Sequence, residues 1–193
     1  MNAARWSARL TLPVTPGRDH IRGPSSAAVT LLEYGDYECP CCRAAHEVLT
    51  LIQAQLQNRL CYVFRHFPLT TAHPLAQAAA EASEAAGSQN KFWEMHDALF
   101  LVSSPLPNSL LSDAAAAMGL NLPLFRYELS QHVHLPRIRE DFISGVRSGV
   151  NGTPTFYINA VRYDGEWDLA SVGTAVNRAA LTSSAGDRNS PSW

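Results

Sequence analysis

Lysine is almost missing from this chain. Lys91 is the only one in 193 residues, so the basic charge is nearly all arginine, and the formal net charge is −2. That balance lacks the electrostatic footprint of a nucleic-acid binder or of a protein held to an anionic membrane surface. Long apolar runs are missing too. No stretch approaches the roughly 20 residues of a membrane-spanning helix, and residues 1–30 hold no signal-peptide core. Arg5, Arg9 and Arg18 all precede the first acidic residue, Asp19, a faint transit-peptide pattern. Pro13, Pro16 and Gly17 interrupt the helix that such a peptide requires. The expected location is therefore the cytoplasm. There is no phosphate-binding glycine loop and no Ser-His-Asp set. What is present is 46% hydrophobic and 17% charged residues, a globular composition. The length allows one domain, or one domain with an insertion.

Cysteine is scarce but concentrated. Of four cysteines, Cys39, Cys41 and Cys42 fall together and Cys61 stands alone. A disulfide scaffold would spread them along the chain to tie distant loops. Clustering points to reactive or metal-binding chemistry. Cys61, inside an apolar strand, reads as a small buried hydrophobe.

Along the chain, residues 1–26 read as a tail broken by Pro13, Pro16, Gly17, Gly23 and Pro24. Val29–Tyr34 reads as a short buried strand, Gly35–Glu38 as a turn, and Pro40 onward as a helix. Proline suits the first helical turn, and Val48, Leu49, Ile52 and Leu56 recur at helical spacing. Leu60–Phe64 is apolar throughout, as a central parallel strand would be. Strand, helix and strand make a βαβ unit spanning residues 27–70. From 71 to 148 only helix signals follow, near 74–86, 90–101, 109–118, 123–131 and 136–148. Strands return at Thr155–Ile158 and Val161–Tyr163, flanking Asn159-Ala160 at hairpin spacing, although alanine suits that turn poorly. Asp168 is placed to cap a last helix carrying Leu169, Val172, Val176 and Ala179. The two βα halves, 27–70 and 149–182, thus enclose a helical insertion, and 183–193 reads as a C-terminal tail.

Cys39 and Cys42 form a C-x-x-C pair at a helix start. At about 100° per residue they project within roughly 60° of each other, one turn apart, whereas Cys41 points elsewhere. Cys39–Cys42 is the natural redox couple. Unpaired amides and the helix dipole should stabilise a Cys39 thiolate, and Cys42, one turn inside, should be the shielded resolving thiol. A metal-binding module using Cys39, Cys41, Cys42 and His46 is the rival, although no second C-x-x-C or H-x-x-x-H supplies the usual further ligands.

Three segments then carry a resemblance: Leu32–Arg43 around the cysteines, Phe92-Trp93-Glu94-Met95-His96-Asp97, and Gly149–Phe156 with Thr153-Pro154. In this order they resemble the DsbA-like branch of the thioredoxin superfamily over roughly residues 20–180. The resemblance implies an α/β thioredoxin fold with an inserted all-helical domain. It implies thiol–disulfide oxidoreductase activity on protein or small disulfides, with protein thiols, and glutathione or another redox partner, as reactants and no bound cofactor. It maps Cys39 to the nucleophile, Cys42 to the resolving cysteine and Thr153-Pro154 to a cis-proline loop that faces them and pairs with an extended substrate, alongside Pro40 and Cys41. It also places an acidic residue at Glu33. A carboxyl in an apolar strand should have a raised pKa and could accept the Cys42 proton. Because that strand is apolar on both sides, the facing of Glu33 stays open, and an exposed strand-end carboxylate is the alternative. Relatives usually carry an aromatic residue or histidine at position 41; a cysteine there leaves the redox potential open. A glutathione-linked transferase or isomerase on the same fold is a further rival, disfavoured by the paired Cys42. His66 and His73 could border the site. Phe92, Trp93, Met95 and Leu99 read as helix core, and His46 and His96 as scattered histidines.

Overall fold

The computed structural model describes residues 8–102, 105–107 and 109–186. Its elements are β1 (His20–Arg22), β2 (Val29–Gly35), α1 (Pro40–Leu56), β3 (Leu60–His66), α2 (Ala76–Gly87), α3 (Phe92–Leu101), α4 (Leu110–Ala117), α5 (Leu122–Ser130), α6 (Leu135–Ser148), β4 (Thr155–Ile158), β5 (Val161–Tyr163) and α7 (Leu169–Gly186). The strands form one sheet in the order β1-β3-β2-β4-β5. Only the β2–β3 pair is parallel; the other three are antiparallel. This is a thioredoxin-like sheet interrupted by a helical insertion, as expected.

Period-two alternation sorts the side chains of the central strands. Val29 and Leu31 of β2, with Leu60, Tyr62 and Phe64 of β3, pack beneath α1, α7 and the inserted helices. Leu32 and Tyr34, with Cys61 and Val63, pack on the opposite face, where Phe142 of α6 covers them. Glu33 has the parity of Leu31, so it faces α1. Leu49 and Ile52 anchor α1, each contributing roughly 1.5–3 kcal/mol by burial. The alanines of α2 allow the other inserted helices to approach closely. Although α6 belongs by sequence to the 71–148 block, it packs on β3 and so completes the second face of the sheet.

Residues 8–26 are not the tail expected over 1–26. β1 pairs antiparallel with β3 at one edge of the sheet. Arg9 bridges Val161 at the other edge, with Leu10 donating to Ala160 O and Arg162 to Ala8 O, both at 2.9 Å. Between those edges the segment is clasped by Arg65. Its Nε and Nη2 donate to the Asp19 carboxylate at 2.8 and 3.1 Å, and the remaining N–H groups reach Leu12 O, Pro13 O and the Tyr34 hydroxyl. All five guanidinium donors are thereby satisfied. Gly23, which follows β1, has φ +92°, and a Cβ there would lie 2.3 Å from Leu60 O, so only glycine fits. Residues 1–7 lie outside the described residues.

The hairpin turn is where it was expected. Asn159 and Ala160 adopt φ of 46° and 65°, so Ala160 sits in a region that favours glycine. Asp168 Oδ1 accepts from the amides of Ala170 and Ser171, capping α7. That helix continues to Gly186, into the segment expected as a tail at 183–193, and residues 187–193 lie outside the described residues.

Candidate active site

The cysteines sit where β2 hands the chain to α1. Cys39 is the N-cap residue, with φ −74° and ψ 121°, and Pro40 opens the helix. Two buried carboxylates hold the preceding turn. Asp36 accepts from Glu38 N at 2.8 Å, Leu69 N at 2.8 Å and the His73 ring at 2.8 Å. Glu38 accepts from Leu75 N at 2.7 Å and Leu106 N at 3.4 Å, reaching into the inserted block. The sequence placed the turn but not this bracing; acidic residues that satisfy nearby backbone amides are its only signal.

The three neighbouring thiols differ sharply in setting. Cys41 is exposed, Cys39 is largely covered and Cys42 is fully buried. All four cysteines are free thiols. The Cys42 thiol donates to the Cys39 sulfur, and this bond is the main cause that lowers the Cys39 pKa to about 5. The Thr153 side chain and the amides of Cys41 and Cys42 add to it. Burial raises Cys42 well above the ordinary thiol value, helped by its bond to Cys39 and by the negative charges of Glu33 and Cys39. The Asp36 amide reaches Cys42 Sγ at 3.5 Å. One cysteine is thus prepared as a thiolate and its partner held as a thiol.

Glu33 lies beneath this pair and is only 1% exposed. The strand register settles the question left open by the sequence: it is not a strand-end carboxylate in solvent. Burial raises its pKa to about 8 against the opposing hydrogen bond from Tyr62, with the Cys39 charge adding to the rise. The Tyr62 hydroxyl donates to Oε2 at 2.7 Å, while Oε1 is buried without a partner. A Cβ on Gly35 would lie 2.8 Å from that oxygen and 2.4 Å from the Phe64 ring, so glycine is required beside it. Tyr62 was not singled out in the sequence, since one tyrosine in an apolar strand has the signature of core.

On the far side, the Thr153–Pro154 peptide is cis, and Cys39 Sγ lies 3.4 Å from the Thr153 carbonyl. Pro40 and Cys41 are exposed at the mouth of the site. The structure thus places Cys39, Cys42, Glu33 and the Thr153-Pro154 peptide around one point. His73 borders the turn; burial works against its proton, but the bond to Asp36 and the negative charges of Asp36, Cys39 and Glu38 together outweigh this and raise its pKa. His66 does not border the site: it is buried against Glu84 at 2.9 Å. Cys61 is buried on the other face of the sheet, and Phe92, Met95 and Leu99 are core. Glu94 is exposed and paired with Lys91 at 2.8 Å.

Cys39, Cys41, Cys42 and His46 are not gathered as a set of three or more ligand atoms around one point among the described residues. Among the described residues, the one grouping of three His, Cys, Asp or Glu ligand atoms close enough to share an ion is His46, His96 and Asp97. His46 has turned from the thiols toward α3.

The chain matches the thioredoxin family model over residues 15–178. It belongs to the thioredoxin family. Solved structures of DsbA-like members share its fold. Oxidised BdbD from Bacillus subtilis superposes with a TM-score of 0.78 at 20% identity, over 91% of this chain and 97% of that one. Wolbachia pipientis α-DsbA1 gives 0.79 at 22% identity, over 92% and 97%. Nearer in sequence are longer proteins. The Na(+)/H(+) antiporter NhaA 1 of Salinispora arenicola is 44% identical over 170 residues, covering 88% of this chain but 26% of the antiporter. The Na(+)/H(+) antiporter NhaA of Herminiimonas arsenicoxydans is 38% identical over 184 residues, 92% of this chain and 29% of that protein. This thioredoxin-family chain thus spans about a quarter of the length of the curated relatives it matches. Among its described residues, no helix is long and apolar enough to cross a membrane.

Proposed function

We propose that this chain is a thiol–disulfide oxidoreductase in which Cys39 is the nucleophile, Cys42 resolves the mixed disulfide and Glu33 takes the Cys42 proton. The observation that carries this reading is the split between the thiols: Cys39 acidified to about 5 beside a buried Cys42 held protonated. In the reducing direction, the Cys39 thiolate attacks one sulfur of a substrate disulfide and the other leaves as a thiolate. Glu33 then accepts the Cys42 proton, and the Cys42 thiolate attacks the Cys39 sulfur. The second substrate thiolate departs and a Cys39–Cys42 disulfide remains. Two electrons have passed to the substrate. The same steps in reverse oxidise a dithiol, so no bound cofactor takes part.

The exposed Pro40 and Cys41, with the backbone of Thr153 and Pro154, would receive an extended protein segment containing the disulfide. The pairing of Cys42 behind Cys39 favours this cycle over a glutathione-linked transferase. We read the region shared with the antiporters as an oxidoreductase unit of those longer proteins, and ion transport as a property of their other parts.

The test is exchange with a protein disulfide. Cys39→Ser should abolish it, and Cys42→Ser should accumulate a substrate-linked adduct at Cys39, visible by mass spectrometry. Alkylation of Cys39 should titrate near pH 5 rather than near the unperturbed thiol value of about 8.5. Full turnover by Cys39→Ser overturns the assignment.

A further inference from the structure

We propose that His46, His96 and Asp97 form a second site on this protein, one that binds a divalent transition-metal ion, with zinc as its ligand of choice. His46 lies on α1, one helical turn beyond Cys42; His96 and Asp97 are consecutive on α3. One ligand atom from each residue lies within 4.8 Å of the other two, and His46 Nε2 is 3.7 Å from Asp97 Oδ1. Zinc bonds of about 2.0–2.2 Å in a tetrahedron place ligand atoms roughly 3.3–3.6 Å apart. Small side-chain rotations would close the triad, leaving one position for water.

The decisive observation is what these atoms lack. His96 is fully enclosed, yet its Nε2 has no hydrogen-bond partner, and Asp97 Oδ1 beside it has none either. Buried polar atoms are rarely left unpaired in folded proteins, and here two orphans converge with a ring of His46. The neighbours prepare them as donors. His96 Nδ1 is hydrogen-bonded with the Tyr37 hydroxyl at 3.1 Å, which holds the ring by its second nitrogen and leaves Nε2 to ligate, as in a metal-binding histidine. Arg22 donates to Asp97 Oδ2 at 2.8 Å, which fixes the carboxylate and leaves Oδ1 for the ion. Burial lowers the pKa of both rings, which favours the neutral form that ligates. Two imidazoles and one carboxylate suit zinc, with cobalt as a spectroscopic substitute. The ion would tie the helix that carries the cysteines to the inserted helices.

Thiols also bind zinc, so the test uses the full chain with Cys39→Ser, Cys41→Ser and Cys42→Ser. Calorimetric titration with zinc alone should show one equivalent bound. His46→Gln and Asp97→Asn should each weaken binding about tenfold or more, whereas Glu94→Gln, on the same helix but outside the triad, should not. Cobalt should give visible d–d bands without thiolate charge transfer, a readout that needs no variant of the triad. Absence of binding up to about 1 mM zinc overturns the proposal. So does binding unchanged by both His46→Gln and Asp97→Asn in proteins whose circular dichroism matches the parent.

Discussion

Two buried ionisable groups lie on opposite faces of the same sheet, and the structure treats them in opposite ways. Arg65, on the α6 face, has a partner for every donor. Glu33, on the α1 face, has one hydrogen bond, from Tyr62, and a bare second oxygen. A fully partnered charge is a structural clasp: it locks residues 12–19 to β3 and has nothing left to exchange. An under-partnered carboxyl is held near the point of losing or gaining a proton, which makes it useful beside a thiol and costly to the fold. Completeness of pairing, not burial, separates the two roles.

Removing the clasp should have the largest effect. Arg65→Ala leaves the buried Asp19 with Arg18 as its one remaining countercharge and should cost about 3 kcal/mol or more in urea unfolding. Burial alone would raise the Asp19 pKa, but the bond from Arg65, the Thr15 amide and the charges of Arg65 and Arg18 together outweigh it and lower the value. The stability it contributes is therefore present above the unfolded-state pKa and lost as pH falls through the lower folded value. Asp19→Asn should flatten the acid limb of the stability profile; an unchanged limb would erase the contrast.

Glu33→Gln should act with the opposite sign. The Glu33 pKa is raised from 4.5 to about 8, so its penalty is absent at low pH and grows as pH rises between those values. The glutamine variant should gain roughly 1 kcal/mol or more over wild type at pH 8, while mixed disulfides at Cys39 persist longer. Loss of stability at pH 8 would show that Glu33 is a clasp after all. Tyr62→Phe, which removes its one hydrogen bond, should cost about 1 kcal/mol and push the Glu33 titration higher still. Cys41→Ala should do least, shifting stability by less than about 0.5 kcal/mol because the side chain is exposed. A large loss of exchange in that variant would bring the third thiol into the cycle.

The same contrast explains what could be read from the sequence. β2, α1, β3 and the inserted helices were legible because apolar spacing, Pro40 and the glycine stops all act locally. The cysteine pair was legible for the same reason. The clasp was not: residues 8–26 bind through carbonyls, one buried aspartate and a strand of three residues, which leave no hydrophobic period to detect. The side on which Glu33 falls was hidden because β2 is apolar on both faces, and only pairing with β3 and β4 fixes its parity. His46, His96 and Asp97 come from two helices, so no local spacing joins them.

The N-terminal segment has one more effect. By pairing with β3 through β1 and with β5 through Arg9, a single stretch of chain occupies both outer margins of the sheet. The edges that remain, three residues of β1 and a single bridge at Arg9, are too short to offer a foreign strand much of a ladder, so intermolecular sheet growth is discouraged. Under the proposed function, an extended client would pair instead with the backbone beside the cis-proline, next to Cys39.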